Sequence, residues 1–276
     1  MLVHKLGNLG GLGRDGIGVE AHVTPNLLRR RKGAAGFPPK GAPGKAASPC
    51  RRGLGGILLP IVTVPHPDHP QLRLIDHPLV QQKLSAARDA NTTAPAFRRL
   101  LNEIAGLMTF EASRHFQTRV VDVPTPFGNA HGVALAHPVT LVPILRAGVG
   151  MTDGILNLIP EARVGHLGVY RDETTLEPVS YYAKLPTDIA RSHVLLVDPM
   201  LATGGSASFA VSELKRAGCS DIRMICLVCA PDGVQRMGAD HPDVQIFTAG
   251  LDDELDAQGY IRPGLGDAGD RIFGTH

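Results

Sequence analysis

The chain has 276 residues, 43% of them apolar and 20% charged, with a formal net charge of +2 and no tryptophan. That length buries a sizeable core as one or two domains, and no apolar run approaches the ~20 residues that a membrane-spanning helix needs. Four cysteines at no framework spacing exclude a disulfide-stapled secreted scaffold and point to a reducing, cytoplasmic setting.

Residues 1–60 hold 13 Gly and 6 Pro, with ten Lys/Arg against two Asp/Glu, a balance of +8 that leaves −6 for the remainder. A stretch so poor in apolar periodicity cannot repay an ordering entropy of ~1–2 kcal/mol per residue. Residues 1–68 are therefore expected to form a disordered extension ahead of one domain over 69–276. A basic arm suits nucleic acid, but this one carries a single aromatic residue, Phe37, and no stacking pattern, so nucleic acid is disfavoured as a partner. Gly11 to Gly16 spells G-x-G-x-x-G without a strand before it, which excludes a dinucleotide fingerprint. Met108 is the first methionine after Met1. A start assigned too early, with Val62 or Val64 as the true one, therefore stands beside a targeting peptide as the explanation of the arm, which has no secretory apolar core.

Past the arm, Thr93 is placed to cap a helix with Pro95 in its first turn, and Phe97, Leu100, Leu101, Ile104, Leu107 and Met108 recur at helical spacing as core or subunit interface. Apolar runs near 139–145, 164–170, 194–197, 222–229 and 244–247 alternate with helical stretches. This predicts an α/β fold, a mostly parallel twisted sheet with helices on both faces. At the end of the first run stands Arg146, whose guanidinium fork matches the oxygens of a diphosphate. Arg171 ends the second run, and 175–182, which lacks helical periodicity, reads as a mobile flap or hairpin.

The third run is the most informative. Val194 to Val197 suits a strand buried on both faces, and the chain then turns through Asp198-Pro199-Met200-Leu201-Ala202-Thr203-Gly204-Gly205-Ser206 into a helical pattern that stops at Gly218. Adjacent glycines let several backbone N–H groups converge on one anion, with a helix N-terminus behind it. Asp198 at the strand's carboxyl end would accept hydrogen bonds from ribose hydroxyls. Cys226 and Cys229 match C-x-x-C, but side chains three apart on a strand point to opposite faces, so the two sulfurs are expected to be separate buried thiols. Beyond a weak His66/His69 pair no zinc-ligand spacing occurs. Gly264 to Gly269 is a second literal G-x-G-x-x-G, again without a βαβ unit around it.

Asp198 to Ser206 resembles the loop with which type I phosphoribosyltransferases bind 5-phospho-α-D-ribose 1-diphosphate (PRPP), in the form used by uracil phosphoribosyltransferases, where Pro199 replaces a second acid. Val142 to Met151 resembles the family's pyrophosphate loop, and Tyr260 to Thr275 its uracil-binding tail; the likeness runs from Leu72 to His276. It implies the phosphoribosyltransferase fold and a pyrimidine salvage reaction, uracil plus PRPP giving UMP and diphosphate. By the same likeness PRPP is bound by Arg146, Arg171, Asp198 to Ser206 and Asp267. Uracil is contacted by Ile261, Gly266, Asp267 and Ala268, mainly through backbone. Catalysis falls to Asp198, Arg146, Arg171 and Asp267, with Mg²⁺ carried by PRPP and no protein metal ligand. A homo-oligomer and, as in some members, a GTP effector are also implied. Arg262 departs from the small apolar residue of many relatives and reads as neutral. Two alternatives stand beside this: a pyrimidine-operon RNA-binding regulator of the same fold, which the −6 charge disfavours, and a transferase for another base. A chain beginning at Val62 is expected to keep wild-type turnover, Michaelis constants and melting temperature. Unfolding, or a several-fold rise in the uracil Michaelis constant, would show that the arm packs on the enzyme.

Overall fold

The computed structural model describes residues 65–171 and 178–275. The expectations for residues 1–64, and for the part of the flap at 175–177, lie outside the described residues. The chain enters through a hairpin, β1 (Pro65–His66) and β2 (His69–Leu74), whose first strand pairs into the sheet ahead of the boundary expected at 68/69. The His66 and His69 rings stack across its turn, centroids 5.4 Å apart.

Two helices follow, α1 (Pro78–Arg88) and α2 (Ala94–Ala112). His77 caps α1 by accepting the Leu79 N–H at Nδ1 (3.2 Å). Thr93 stands at the N-cap of α2 as expected, yet its side chain makes no capping bond; Pro95 in the first turn removes one of the two N–H groups such a cap would use. Of the predicted stripe, Phe97, Leu101, Ile104 and Met108 are buried and Leu100 and Leu107 pack partly against them. Strands β3 (Thr118–Thr125) and β4 (Gly128–Leu135) then pair with each other in a separate two-stranded sheet.

The remaining elements are β5 (Val139–Leu145), a 3₁₀ turn (Ala147–Met151), α3 (Thr152–Leu156), β6 (Arg163–Val164), β7 (His166–Arg171) and β8 (Pro178–Lys184). They continue with β9 (His193–Val197), β10 (Met200–Leu201), α4 (Gly205–Arg216), β11 (Ile222–Cys229) and α5 (Pro231–Asp240). The chain closes with β12 (Gln245–Leu251), β13 (Glu254–Leu255), β14 (Ile261–Arg262) and α6 (Ala268–Phe273). Among the described residues the main sheet runs β1-β2-β12-β11-β9-β5-β7-β8; the six inner strands are parallel and the two edges antiparallel. One core lies between the sheet and α1, α2, α3 and α6, the other between the sheet and α4 and α5, so helices cover both faces as expected. The strand runs read from the sequence are β5, β6–β7, β9, β11 and β12. They are nearly continuous in apolar residues because both their faces are buried. No described helix is long and apolar enough to cross a membrane.

The two thiols of C-x-x-C do not lie on opposite faces. The N–H groups of Leu227 and Val228 both donate to the one carbonyl of Pro199 (3.0 and 3.2 Å), and Leu227 has no partner in the register between β11 and β12. Leu227 and Val228 both pack into the core of α1, α2, α3 and α6, so the alternation of side chains shifts by one position there, while the pairing with β12 keeps its register on either side. Cys226 and Cys229 consequently point into the same core, that of α4 and α5, where the two thiols are neighbours. Burial pushes the Cys226 thiol well above its ordinary value, and the Cys229 thiol beside it adds to this. Both thiols are fully buried and free.

Candidate functional site

The parallel strands β5, β9, β11 and β12 deliver their carboxyl ends to one edge of the sheet, where open α/β folds take ligands. Asp198 follows the last residue of β9, and its N–H donates to the Ile225 carbonyl (3.2 Å). Its side chain is half-buried. Burial pushes the carboxyl up to about 7, against the downward pull of a bond from the Met200 N–H.

The loop after Asp198 is stitched to its neighbour before it turns. Met200 and Leu201 pair with Val228 and Cys229, and the Ala230 N–H donates to the Leu201 carbonyl (3.0 Å). Gly204 then adopts φ +76°, and a Cβ there would stand 2.9 Å from the Gly233 carbonyl oxygen. Gly233 is subject to the reciprocal demand, since a Cβ on it would meet the Ala202 and Leu201 oxygens at 2.4 and 2.7 Å. Backbone packs on backbone here, and glycine on both sides allows it. α4 starts at Gly205 with its free N–H groups facing the turn, and the Arg236 guanidinium lies 3.4 Å from where a Gly205 Cβ would be. Gly233 and Arg236 were not read as site residues from the sequence; Pro231-Asp232-Gly233 signals only a turn.

Arg146 follows β5 through a cis peptide bond and precedes the 3₁₀ turn. A Cβ on Gly148 in that turn would stand 2.5 Å from the Val197 oxygen, so the turn lies directly against the residue preceding Asp198. The Arg146 side chain is 61% exposed, with Nη2 3.7 Å from Asp270 Oδ1 and the guanidinium 5.9 Å from the centre of the Phe273 ring. The C-terminal tail is thus a neighbour of the Arg146 turn. In that tail Ile261 and Ala268 are buried, Gly266 adopts φ +69°, and Asp267 caps α6 by accepting the Asp270 N–H at Oδ1 (2.9 Å). At its other end a Gly259 Cβ would lie 3.8 Å from Thr203 Cγ2, which brings the tail to the phosphate-sized loop.

Arg146, the Asp198–Ser206 loop and the C-terminal tail are therefore neighbours at the carboxyl ends of the parallel strands. Arg171 closes β7 opposite Pro178, and its side chain lies outside what the structure describes. Tyr181 and Tyr182, expected in a flap or hairpin, belong to β8, the antiparallel partner of β7. Arg262, read as neutral, donates from Nε (2.8 Å) and Nη2 (2.5 Å) to Asp256 Oδ2, while Asp256 Oδ1 accepts the N–H groups of Gln258 and Tyr260. The Tyr260 N–H and the guanidinium hold the Asp256 carboxyl below its usual range. Among the described residues no group of three or more His, Cys, Asp or Glu is placed to hold a metal. The donor set at these strand ends, dispersed carboxylates, suits a cation bound chiefly by phosphate oxygens and water.

Residues 74–275 match the family model described as uracil phosphoribosyltransferase. The chain is 55% identical over 204 residues to a uracil phosphoribosyltransferase of Streptococcus pyogenes, covering 74% of this chain and 98% of that one. It is 52% identical over 206 residues to the enzyme of the same description from Lactiplantibacillus plantarum, covering 74% and 99%. Among solved structures the AQ2163 protein of Aquifex aeolicus superimposes with a TM-score of 0.70 at 36% identity, covering 73% of this chain and 97% of that one.

Proposed function

Because the chain belongs to the uracil phosphoribosyltransferase family, we propose that the site at the ends of β5, β9 and β12 joins uracil to PRPP, giving UMP and diphosphate. The observation that carries this reading is the Asp198–Ser206 loop, with Gly204 left-handed against the Gly233 backbone and the α4 N-terminus behind it. The 5-phosphate of PRPP lies on the amides of Thr203 to Ser206, where backbone dipoles supply the positive field. Asp198 accepts the ribose hydroxyls. Ile261, Gly266 and Ala268 present backbone groups to uracil, whose O4 acceptor and N3–H donor are inverted in cytosine, so the wrong base leaves two buried polar contacts unpaired.

No covalent intermediate with the protein is required. The uracil N1–C1′ bond forms as the bond to diphosphate breaks, with inversion at C1′, and the N1 proton leaves towards Asp267 or solvent. Holding the two reactants in line and stabilising the departing charge supply the acceleration. Arg146 and Arg171 grip the diphosphate. Asp267 would order the water shell of a Mg²⁺ carried in by PRPP, which would supply charge neutralisation for the departing diphosphate.

Arg146→Lys keeps the charge and loses the fork. Turnover is expected to fall about tenfold or more, the scale of one charge-assisted bond. Steady-state rates at saturating PRPP check this, and wild-type turnover would remove the guanidinium geometry from the mechanism. The reaction itself is tested with radiolabelled uracil, PRPP and Mg²⁺. UMP formation supports the reading; no product from uracil, with product from another base, defeats it. GTP added to the same assay tests the effector.

A homo-oligomer is supported by the separate β3–β4 hairpin, on which the cross-strand pair Val120 and Val133 is 72% exposed at each residue. An apolar groove of about 710 Å³ between α1, α2 and α3, lined by Leu79, Gly106, Leu107, Phe110 and Leu158, supports it as well. The free, buried Cys219, Cys226 and Cys229 support a reducing compartment.

A further inference from the structure

The tail loop between Ile261 and Ala268 is gripped from behind by an ion pair to which the reaction assigns no part. Arg88, the last residue of α1, donates from Nη1 to Asp252 Oδ2 (2.8 Å) and from Nη2 to Asp252 Oδ1 (2.5 Å), a bidentate fork. Asp252 lies just past β12 with its side chain 5% exposed, and its Oδ2 also accepts the Gly264 N–H (2.9 Å). Arg88 Nη1 donates in turn to the Gly264 carbonyl (2.8 Å). One glycine thus has both its backbone polar groups held by the two halves of one pair. Gly264 sits at φ +62°, where a Cβ would stand 2.1 Å from the Ile261 oxygen, so the grip is matched to a position only glycine fills. Room for the fork is left by Gly250, whose Cβ would lie 3.0 Å from Arg88 Nη2. A second hold comes from Arg271, which donates from Nη1 to the Leu265 and Ala87 carbonyls (2.8 and 2.6 Å) and lies 4.1 Å over the Phe97 ring.

A buried ion pair is a poor way to gain stability, because apolar residues of the same volume often do as well. It is an effective way to fix a backbone, because a fork with two further bonds admits one orientation. We propose that the Arg88–Asp252 pair, assisted by Arg271, is the positioning device for base selection, holding the backbone of Gly264 to Ala268 in register with the hydrogen-bonding edge of the base. The proposal rests on the reading above that this tail binds uracil. A loop that recognises its ligand through backbone groups has no side-chain rotamers with which to correct a shift, and a displacement near 1 Å costs about a hundredfold in a productive geometry.

The test uses the full chain with Arg88→Lys, which keeps the charge and loses the fork, and Asp252→Asn, which keeps the shape and loses the charge. In both, the uracil Michaelis constant is expected to rise about tenfold and the ratio of cytosine inhibition constant to uracil Michaelis constant to fall by a similar factor. Turnover and the PRPP Michaelis constant are expected to stay within about twofold. A purely structural pair would instead move both Michaelis constants together, or the melting temperature alone. Equal changes for both substrates, an unchanged uracil constant and selectivity in a folded variant, or failure of both variants to fold would overturn the proposal. Gly266→Val in the same assay separates it from its premise. If that variant also leaves the uracil constant unchanged, the base-site reading is wrong; if it raises the constant while Arg88→Lys and Asp252→Asn do not, only the positioning role is lost.

Discussion

Gly204→Val is expected to raise the Michaelis constant for PRPP at least about a hundredfold while the chain stays folded. The residue adopts φ +76°, where a β-branched side chain costs about 1–3 kcal/mol before any contact is counted. The new Cβ would meet the Gly233 carbonyl oxygen at 2.9 Å and Gly233 Cα at 3.2 Å. Both are backbone atoms of α5, so no side chain can rotate away and the loop itself must lift. Leu201 and Ala207 anchor the two ends of the loop in the core, so the movement is confined to the turn between them, and a domain stability of about 5–15 kcal/mol absorbs the local strain. What is lost is the convergence of amides on the phosphate, for which a shift near 1 Å is worth about two orders of magnitude. Thermal melting followed by circular dichroism, with PRPP titrations in the uracil assay, checks both halves. A folded variant with a normal PRPP constant would show that the phosphate does not sit on this loop.

The parts of the site legible in the sequence are those where one short segment carries its own geometry. Val194 to Ser206 contains the strand, the acid, the paired glycines and the helix start in a row, so hydrophobic run and turn chemistry sufficed. The Arg88–Asp252 fork could not be read, because its halves are 164 positions apart and each alone looks like a surface charge. Gly233 was missed for a related reason: the need for glycine there comes from the Ala202 carbonyl on another element. The placement of Cys226 and Cys229 failed where a local rule met a tertiary exception. Period-two alternation holds through Cys226 and breaks at Leu227–Val228, because Pro199 offers one carbonyl to two amides. Arg262 read as neutral since its partner Asp256 acts only once the chain has folded back through Gly259 at φ +84°.

Asp198 should make PRPP binding and stability respond to pH in opposite directions. Its carboxyl is raised by burial from an ordinary value of 3.8 to about 7. The folded, substrate-free chain therefore keeps a proton that the unfolded chain has released. Stability from this group is fully present below about pH 4, is lost as pH rises through 7, and stays level above, a swing on the order of 4 kcal/mol at most. Ribose hydroxyls are donors and require the carboxylate, so PRPP binding should strengthen as pH rises through 7 and then plateau. A site that is destabilising when empty and satisfied when filled is the expected cost of a carboxylate held ready for a polar ligand. Asp198→Asn cannot ionise. It should melt higher than wild type at pH 8, match it more closely near pH 5, and bind PRPP weakly with no inflection near 7. Ionisation of the substrate's own phosphate, near pH 6, contributes equally to both proteins and cancels in the comparison. The measurement is the PRPP Michaelis constant and the melting temperature of each protein from pH 5 to 9. Parallel pH profiles for the two proteins would mean that Asp198 neither titrates in this range nor receives the ribose.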